Sequence, residues 1–445
     1  MANSYKVGML SLGCAKNQVD GEVLMAHLRD KGFELSDDVG ICDIAIVNTC
    51  GFIDSAKQES IEEILELITL KNEGRIKKVV VTGCLSERYQ EEIMKDIPEV
   101  DGVFGIGANA ELGDKLYEMM EKGKLEYFPD KENMPLSGDR VLTTPSYYAY
   151  LKIAEGCDNC CTYCAIPQIR GRFRSRAMED IIAEAEALVA NGAKELNIVA
   201  QDTSRYGLDI YGKYCLDELL TELCKLKDLK WIRVLYCYPD AITDELLEVM
   251  AKEEKIVKYM DIPLQHASGK VLKKMNRRGD RESLTALINK IREKVPGIIL
   301  RTTFIAGFPG ETEEDFEELC LFVKEMKFDR MGCFAYSQEE GTPAALLPDQ
   351  IDEEVKERRA ELIYDIQQRI MEEKNEEYIG KTLEVMTEGF DRYAECYFGR
   401  TAMDAPDVDG KIFFSFNKRR PGYGQIVKVL IEDAMDSDLT GSMVD

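Results

Sequence analysis

The sequence predicts an α/β multidomain protein with an N-terminal parallel α/β sheet domain, a central partial (β/α)6 barrel and a small C-terminal antiparallel β-barrel. Its 445 residues are too many for a single hydrophobic core, which indicates two or three domains. The first two zones alternate apolar runs with helical patterns, whereas the third has short β runs separated by Gly, Pro and Asp. We expect domains at residues 1–130, 145–372 and 375–445.

In the first zone the apolar runs "YKVGMLSL", "IAIVN" and "VVVTG" alternate with the helical patterns "VDGEVLMAHLRDKG" and "DSAKQESIEEILELITLKNEG". This βαβ rhythm predicts a parallel sheet covered by helices. The stretch "YFPDKENMPLSGDR" at 127–140 contains Gly, Pro and Asp and predicts a linker to the next domain.

The second zone contains six strand candidates separated by helical patterns: "YYAYLKIAE", "ELNIVAQD", "WIRVLYCYP", "VKYMDIPLQ", "GIILRTTFIAGFPG" and "RMGCFAYS". Six βα units are too few for a closed eight-stranded barrel, so we expect an open or partial barrel. Its site should lie at the carboxyl ends of the strands. In the helix "TEEDFEELCLFVKEMK", Thr312 and Asp315 have the spacing of a capping box.

The third zone follows a long charged helix and contains "KTLEVMTEGF", "AECYFGRT", "KIFFSFN" and "IVKVLIEDA". These short β runs, with turn residues between them, predict a small antiparallel barrel.

Composition restricts the class of protein. A hydrophobic fraction of 45% and a charged fraction of 31% are typical of a globular protein. The net charge of −26 opposes general binding to a phosphate backbone and favours a basic partner, although it also agrees with a role in solubility alone. No secretory signal and no membrane span are visible, so we expect a cytoplasmic protein with reduced cysteines. Clustered cysteines are then metal ligands or catalysts rather than disulfides.

The stretch "CDNCCTYC" places Cys157, Cys160, Cys161 and Cys164 within eight residues, after the first strand candidate of the barrel. Read as CxxxCxxC, it provides three thiolates for an iron–sulfur cluster and leaves one iron open to a substrate. The alternative is a zinc site with all four thiolates. The spacing favours the cluster, because adjacent Cys160 and Cys161 would be cramped around one ion.

Three further cysteines, Cys14, Cys50 and Cys84, each come almost directly after a strand candidate of the parallel sheet. Carboxyl ends of parallel strands meet at one edge of the sheet, where ligands bind, so the three thiols should converge. A single buried cysteine is usually a small hydrophobic residue. Three at equivalent positions favour a second cluster with one open iron.

The central motif resembles the signature of the radical S-adenosylmethionine (SAM) enzymes, and the whole chain resembles the methylthiotransferases among them. The resemblance depends on "SLGCAKNQVDGE", "VNTCGFI", "TGCLSERY", "GCDNCCTYCAIPQIRGRFRSR", "PLQHAS", "GFPGETEEDF" and "GRTAMDAPDVDG". It implies two 4Fe-4S clusters and two SAM molecules per turnover. SAM would be cleaved to a radical at Cys157, Cys161 and Cys164. The N-terminal cluster would carry the sulfur, and the C-terminal barrel, called TRAM in that family, would recognise the substrate.

Two branches of the family compete. "SLGCAKN", "PLQH" and "APDVDG" resemble the branch that modifies the β-carbon of an aspartate in small-subunit ribosomal protein S-twelve, rather than the branch that modifies a transfer-RNA adenosine. From Met371 to Asp445 there are 9 Lys and Arg against 16 Asp and Glu, which suits a basic protein partner better than RNA. The basic "NKRRPG" at 417–422 is the opposing signal. A non-catalytic iron–sulfur assembly factor for the ribosome is the third alternative.

We expect a SAM pocket at strand ends of the barrel, lined by Gln201, Asp202, Arg301, Thr302 and Gly307. His266 is a weaker candidate for a general base. Arg170, Arg172, Arg174 and Arg176 follow the cluster loop and either order it or form a solvated basic loop. The resemblance also implies an electron donor such as flavodoxin or ferredoxin and a sulfur source. We expect no membrane contact and a monomer.

Overall fold

The structure is a computed structural model that describes residues 5–416 and 420–444. These residues form two six-stranded sheets, a two-stranded ribbon and a closed five-stranded barrel, which confirms the predicted fold class. Residues 417–419 of the basic "NKRRPG" segment lie outside the described residues. In the described part of the chain, no helix is long and apolar enough to cross a membrane.

The first sheet is entirely parallel and has the strand order β2-β1-β3-β4-β5-β6. Its strands are β1 (Lys6–Ser11), β2 (Glu34–Ser36), β3 (Ile44–Thr49), β4 (Lys78–Gly83), β5 (Gly102–Phe104) and β6 (Leu125–Tyr127). Its helices are α1 (Ala15–Asp30), α2 (Asp54–Asn72), α3 (Cys84–Tyr89), α4 (Glu91–Asp96) and α5 (Leu112–Lys122). Alternate residues of β3 pack on opposite sides of the sheet. Ile44 and Ile46 meet α1 and α5, whereas Ala45 and Val47 meet α2.

The second sheet is also parallel, and its strands follow chain order from β7 through β10 to β14. The strands of this region are β7 (Tyr148–Lys152), β8 (Ala154–Glu155), β9 (Arg174–Ser175), β10 (Glu195–Val199), β11 (Trp231–Val234), β12 (Ile256–Asp261), β13 (Ile299–Ala306) and β14 (Arg330–Ala335). β8 and β9 form the two-stranded ribbon. β7 and β14 remain edge strands, so the six predicted βα units form an open barrel.

Helices cover one face of this second sheet. Short 3-10 turns lie in the connections between elements along the described chain. The helices are α6 (Ile166–Arg170), α7 (Met178–Ala190), α8 (Leu208–Tyr211), α9 (Leu216–Leu223), α10 (Asp244–Lys252), α11 (Gly269–Lys274), α12 (Arg281–Lys294), α13 (Glu313–Met326) and α14 (Glu353–Glu376). The 3-10 turns are Val39–Ile41, Ile106–Ala108, Lys131–Asn133, Thr203–Arg205, Pro239–Ala241 and Pro343–Leu346. The opposite, inner face carries Tyr148, Tyr150, Trp231 and Tyr259, which pack with residues of the C-terminal barrel.

The C-terminal barrel closes in the order β15-β16-β17-β19-β18. Its strands are β15 (Thr382–Asp391), β16 (Cys396–Arg400), β17 (Ile412–Ser415), β18 (Ile426–Met435) and β19 (Asp438–Val444). Four of the strand pairs are antiparallel, but β17 and β19 pair in parallel. The expectation of a wholly antiparallel barrel is therefore corrected at this one pair, where β19 closes the barrel.

The end of the segment predicted as a linker joins the first two sheets. The side chain of Arg140 is 3% exposed and donates to Glu22 of α1 at 2.5 Å and to Glu184 of α7 at 2.6 Å. It also donates to the Tyr150 carbonyl at 2.6 Å. The segment therefore fixes α1 against the central sheet. The domain limits at 130, 145, 372 and 375 stay a prediction.

Candidate functional site

Cys14, Cys50 and Cys84, which we call the N-terminal triad, lie at the carboxyl ends of three adjacent strands, β1, β3 and β4. Gly13 has a φ of +83°, and a Cβ atom there would lie 2.8 Å from the sulfur of Cys50. A Cβ atom on Gly51 would lie 2.9 Å from the carbonyl carbon of Cys84. The two glycines therefore allow the three cysteine-bearing loops to approach one another closely.

The thiols of the N-terminal triad are near enough to affect one another. Burial raises the pKa of Cys84 to about 12, the Arg170 guanidinium opposes this rise, and Cys14 and Cys50 add to it. Burial likewise raises the pKa of Cys50. Arg170 donates to the Cys84 sulfur at 3.1 Å. Three convergent thiols with a buried cation beside them fit a thiolate-held anionic cluster, because the cation compensates negative charge on sulfur.

Cys157, Cys161 and Cys164, the central triad, lie on the loop after β8. The loop is held by backbone bonds from Cys164 to Cys161 and from Thr162 to Met275, each 3.0 Å long. Burial raises the pKa of Cys157 to about 12, and Cys161 contributes to the rise. The pKa of Cys164 is also raised, by burial first and then by Cys161 and Cys157. The three thiols are therefore near enough to raise one another's pKa.

Cys160 is separate from the central triad. Its backbone has a φ of +50°, and its side chain is exposed, whereas Cys161 is buried. Over residues 5–416 and 420–444, no group of three or more His, Cys, Asp or Glu side chains is close enough to bind one metal ion. The side chains of adjacent Cys160 and Cys161 therefore lie in different environments, and the choice between zinc and a cluster stays a prediction.

The two triads lie side by side. Cys84 packs against Ala165 and Ile169, which belong to the segment directly after Cys164. Arg170 follows in the same segment and is fully buried. Its guanidinium also reaches the Asn17 side chain at 3.0 Å, three residues after Cys14. The segment after the central triad is therefore part of the wall of the N-terminal triad.

Beside the triads, two buried cations and two buried carboxylates form an ion-pair network. Lys152 donates to Asp20 and, at 2.8 Å, to Glu155. Arg170 pairs with the same two carboxylates. Burial alone would raise the pKa of Glu155, but Lys152 and Arg170 lower it to about 2, so Glu155 is ionised. Sequence reasoning missed Asp20, Lys152 and Glu155, although a lysine inside the apolar run "YYAYLKIAE" was a usable signal.

Gln201 and Asp202, two of the predicted SAM-binding residues, lie next to the central triad. Asp202 is buried and accepts a hydrogen bond of 2.9 Å from Asn159, in the cluster loop. Burial raises its pKa, and bonds from Asn159 and Ser204 oppose the rise. Gln201 donates to Glu155 at 2.8 Å, and its buried amide oxygen has no partner among the described residues.

Asp202 lines a cavity of about 500 Å³ together with Tyr238 and Arg277. The Arg277 guanidinium lies 4.3 Å from the ring centroid of Tyr238 and 3.7 Å from the sulfur of Cys161. Sequence reasoning missed Arg277 and Tyr238, and the surrounding "KKMNRRGD" carries no signal that separates Arg277 from its basic neighbours. The cavity offers anionic, cationic and aromatic groups next to the central triad.

The other three predicted SAM-binding residues have different neighbours. Arg301 pairs with Asp261 at 3.4 Å and with Asp409 of the C-terminal barrel at 3.5 Å. The hydroxyl of Thr302 donates to the Ile262 carbonyl at 2.8 Å and is fully buried. Gly307 has a φ of +76°, and a Cβ atom there would collide with the side chain of Lys356. SAM contact by these three residues stays a prediction without a supporting contact.

His266 is fully buried and has a structural environment. Its Nδ1 accepts a hydrogen bond of 2.9 Å from the Ser268 amide, and its Nε2 lies 3.2 Å from Glu311. Glu311 also accepts from Arg359 at 2.8 Å. Within the arginine run, Arg176 pairs with Glu184 at 2.6 Å, Arg174 donates to the Glu132 carbonyl, and Arg172 is exposed. Although exposed, Arg172 pairs with Asp158 of the cluster loop at 3.0 Å, so it contacts that loop directly, whereas Arg174 and Arg176 hold the segment after it.

Comparison with protein families divides the chain into three matched regions. Residues 6–105 match a family described as uncharacterized protein family UPF0004. Residues 151–323 match the radical SAM superfamily, and residues 379–444 match the TRAM domain. The three matched regions contain, in order, the N-terminal triad, the central triad and the closed barrel.

Full-length relatives share the name ribosomal protein uS12 methylthiotransferase RimO. The protein of Thermoanaerobacter sp. is 49% identical over 98% of this chain and 99% of its own length. Those of Pelotomaculum thermopropionicum and Clostridioides difficile are also 49% identical, over 99% of both chains.

Solved structures agree at the level of the fold. The radical SAM methyltransferase TsrM from Kitasatospora setae has a TM-score of 0.60 at 18% identity, with 77% of each chain covered. The cobalamin-dependent SAM radical enzyme OxsB has a TM-score of 0.51 at 14% identity, covering 83% of this chain and 56% of that chain.

Proposed function

Because this chain belongs to the ribosomal protein uS12 methylthiotransferase family, we propose that it inserts a methylthio group at the β-carbon of an aspartate in that ribosomal protein. It is a radical SAM enzyme and uses SAM and 4Fe-4S clusters. The observation that carries the proposal is that Cys84, at the edge of the N-terminal sheet, packs against Ala165 and Ile169 of the segment directly after the central triad. The central triad alone provides the thiolates for SAM cleavage, so the N-terminal triad needs a role of its own, and we propose that this role is to carry the sulfur.

In this proposal the central triad, Cys157, Cys161 and Cys164, holds the cluster that binds and cleaves SAM. The N-terminal triad, Cys14, Cys50 and Cys84, holds the auxiliary cluster. When bound, the clusters and two SAM molecules per turnover supply a methylated sulfur and a 5′-deoxyadenosyl radical. Arg170 donates to the Cys84 sulfur at 3.1 Å and is anchored by Asp20 and Glu155, so it keeps the two loops in register.

For SAM itself we propose contacts from Gln201 and Asp202. The unpartnered amide oxygen of Gln201 is free to accept a hydrogen bond from a ligand. Asp202 is held by Asn159 of the cluster loop, which supports a position near a ligand of the open iron. Carboxylate and amide oxygens are suitable acceptors for ribose hydroxyls or an ammonium group.

The remaining partners follow from the reaction class. We propose a low-potential electron donor such as flavodoxin or ferredoxin, a source of replacement sulfur, and action as a monomer in the cytoplasm. The net charge of −26 supports association with a basic ribosomal protein, because opposite charge raises the rate of encounter. Light scattering of the holoenzyme tests the monomer, with a mass near 50.4 kDa expected.

Removal of the N-terminal triad tests the two cluster roles. In the triple variant Cys14→Ala, Cys50→Ala, Cys84→Ala, we expect SAM cleavage to 5′-deoxyadenosine to persist and methylthiolation of the ribosomal protein to disappear. The reason is that the central triad retains all three of its thiolates. The measurement is anaerobic turnover of the reconstituted holoenzyme with dithionite, followed by chromatography of the nucleoside and mass spectrometry of the protein.

The matched control is Cys160→Ala, which removes an exposed thiol from the cluster loop outside both triads. We expect it to retain both activities. Methylthiolation by the triple variant would exclude the sulfur role of the N-terminal triad. Absence of 5′-deoxyadenosine from the wild-type reaction would exclude catalysis and favour an assembly factor.

A further inference from the structure

Lys16 is a buried cation without a carboxylate partner. It lies in the first turn of α1, two residues after Cys14, and its residue exposure is 8%. Its ammonium lies 3.4 Å from the ring centroid of Tyr236. Among the residues that the structure describes, no carboxylate pairs with it. Burying an ammonium group without a counter-charge is strongly unfavourable, so an unpaired lysine here needs an explanation.

The acids around Lys16 are already paired with other cations. Asp20, one turn further along α1, pairs with Lys152 and Arg170. Asp261, which accepts from the Tyr236 amide at 3.1 Å, pairs with Arg301. Burial and Arg170 lower the pKa of Lys16, but Tyr236 and the Cys14 thiol raise it above its usual range on balance, so the ammonium stays charged. Lys16 is therefore a positive charge that no carboxylate of the described residues offsets, and an anionic ligand would pair with it.

Lys16 also lies between the two halves of the site. Ala15 and Val19, on the same helix, pack in the cluster that contains Tyr236 and the tyrosines of the inner face of the central sheet. Cys14 begins the same helix on the side of the N-terminal triad. A substrate side chain on which both clusters act has to reach between the N-terminal triad and the inner face of the central sheet. It must therefore pass close to Lys16.

We propose that Lys16 binds the side-chain carboxylate of the target aspartate and thereby positions its β-carbon. This inference rests on the function proposed above. The carboxylate is bonded directly to the β-carbon, so holding it by a charge-assisted hydrogen bond fixes that carbon and leaves its C–H bonds free. Lys16 is thus a positioning residue that selects an anionic side chain, and a neutral substrate such as a nucleobase gains nothing from it.

The test compares two peptides that differ in charge at one position. The holoenzyme with SAM is titrated anaerobically with a fluorescent peptide of the ribosomal protein that carries the target aspartate, and with the same peptide carrying asparagine. We expect the wild type to bind the aspartate peptide at least about tenfold more tightly, as for a hydrogen bond to a charged group. In Lys16→Met the ratio should fall to about one, whereas Lys16→Arg should retain most of it.

A merely structural role would weaken binding of both peptides equally and leave their ratio unchanged, which would overturn the inference. A wild type that binds both peptides equally would also overturn it, and this arm does not depend on any variant folding. If Lys16→Met kept the ratio of the two peptide affinities but altered the electron paramagnetic resonance signal of the auxiliary cluster, Lys16 would act on that cluster and the inference would be overturned. Mass spectrometry of the aspartate peptide after turnover tests the proposed function separately. If the wild type preferred the aspartate peptide but formed no methylthiolated product, the proposed function would be overturned and the role of Lys16 in binding would stand.

Discussion

At the scale of single residues, the cysteines differ most in burial and in the charges around them. Cys84 is buried next to Arg170, Cys14 and Cys50, and its pKa is raised to about 12. Cys160, in the cluster loop, is exposed to solvent. Since only the thiolate is nucleophilic, these two environments should give different chemical reactivity in the cluster-free protein.

We expect Cys84 to be alkylated at least about 100-fold more slowly than Cys160 by iodoacetamide at pH 8, because its thiol stays protonated far below a pKa of about 12. The thiolate fraction grows as pH rises toward that pKa. The Cys84 rate should therefore increase about tenfold per pH unit between roughly pH 7 and 10. Peptide mass spectrometry after timed labelling of anaerobic, chelator-treated protein measures both rates. Equal alkylation rates for Cys84 and Cys160, or a Cys84 rate that does not depend on pH, would contradict a buried Cys84 thiol with a raised pKa.

The sequence was informative about cysteines and much less informative about the charged groups that support them. Cys14, Cys50 and Cys84 could be assigned to one edge because their position after each strand is a local property. Lys16 and Arg277 gave no such signal, because their importance depends on which partners they lack or meet across the fold. Gly307 was assigned to a ligand, but the close approach of Lys356 requires its lack of a side chain, and its φ of +76° separately favours glycine.

At the scale of elements, the sequence pattern predicted features that depend on neighbouring residues, such as a helix cap, but missed a strand that depends on distant pairing. The capping box at Thr312 and Asp315 is confirmed: the Thr312 hydroxyl accepts from the Asp315 amide at 3.2 Å, and the Asp315 carboxylate accepts from the Thr312 amide at 3.2 Å. β19, "DLTGSMV", was missed because its polar and small residues lack strand periodicity. It forms a hairpin with β18, and its parallel pairing with the distant β17 supplies the long-range contacts that close the barrel.

The capping box should stabilise the start of α13 by a measurable amount. We expect Thr312→Ala to lower the free energy of unfolding by about 1 kcal/mol, because the Asp315 amide loses its acceptor. For a domain as large as the central one, a loss of about 1 kcal/mol corresponds to a fall in its Tm of about 2 °C. Thr312→Ser retains the hydroxyl and is the matched control. Differential scanning calorimetry compares the two, and an equal Tm would exclude a stabilising cap.

At the scale of the whole molecule, the C-terminal barrel is attached to the inner face of the central sheet by charges. The loop between β16 and β17 carries Asp404, which accepts from Arg330 of β14 at 2.7 Å, and Asp409, which accepts from the Tyr259 hydroxyl at 2.7 Å. Arg400 pairs with Glu195 of β10 as well as with Glu388 of its own barrel. The loop lies within "GRTAMDAPDVDG", so the aspartates of this motif have a docking role inside the chain.

The barrel stays attached only if each buried cation at the interface keeps its carboxylate partner. Substitution within the Arg330–Asp404 pair tests this requirement. Asp404→Ala removes the counter-charge of Arg330, whose exposure is only 9%, so we expect a destabilisation of about 3–5 kcal/mol at the interface. The weakened barrel should separate more often, which frees the already exposed connection between α14 and β15 to unfold locally and enter the active site of a protease. Limited proteolysis should then release a C-terminal fragment at least about tenfold faster than in the wild type.

The matched control for that experiment is Glu384→Ala, which removes an exposed carboxylate from β15 of the same barrel and should leave the cleavage rate unchanged. Double substitution distinguishes a lost attraction from an uncompensated charge. Arg330→Met together with Asp404→Ala removes both charges, and it should recover much of the stability that Asp404→Ala loses, because the cost arises from the unpaired guanidinium. If the double variant were cleaved as fast as Asp404→Ala, the bonds from Thr401 to Asp404, which the double variant also lacks, would hold the barrel in place instead.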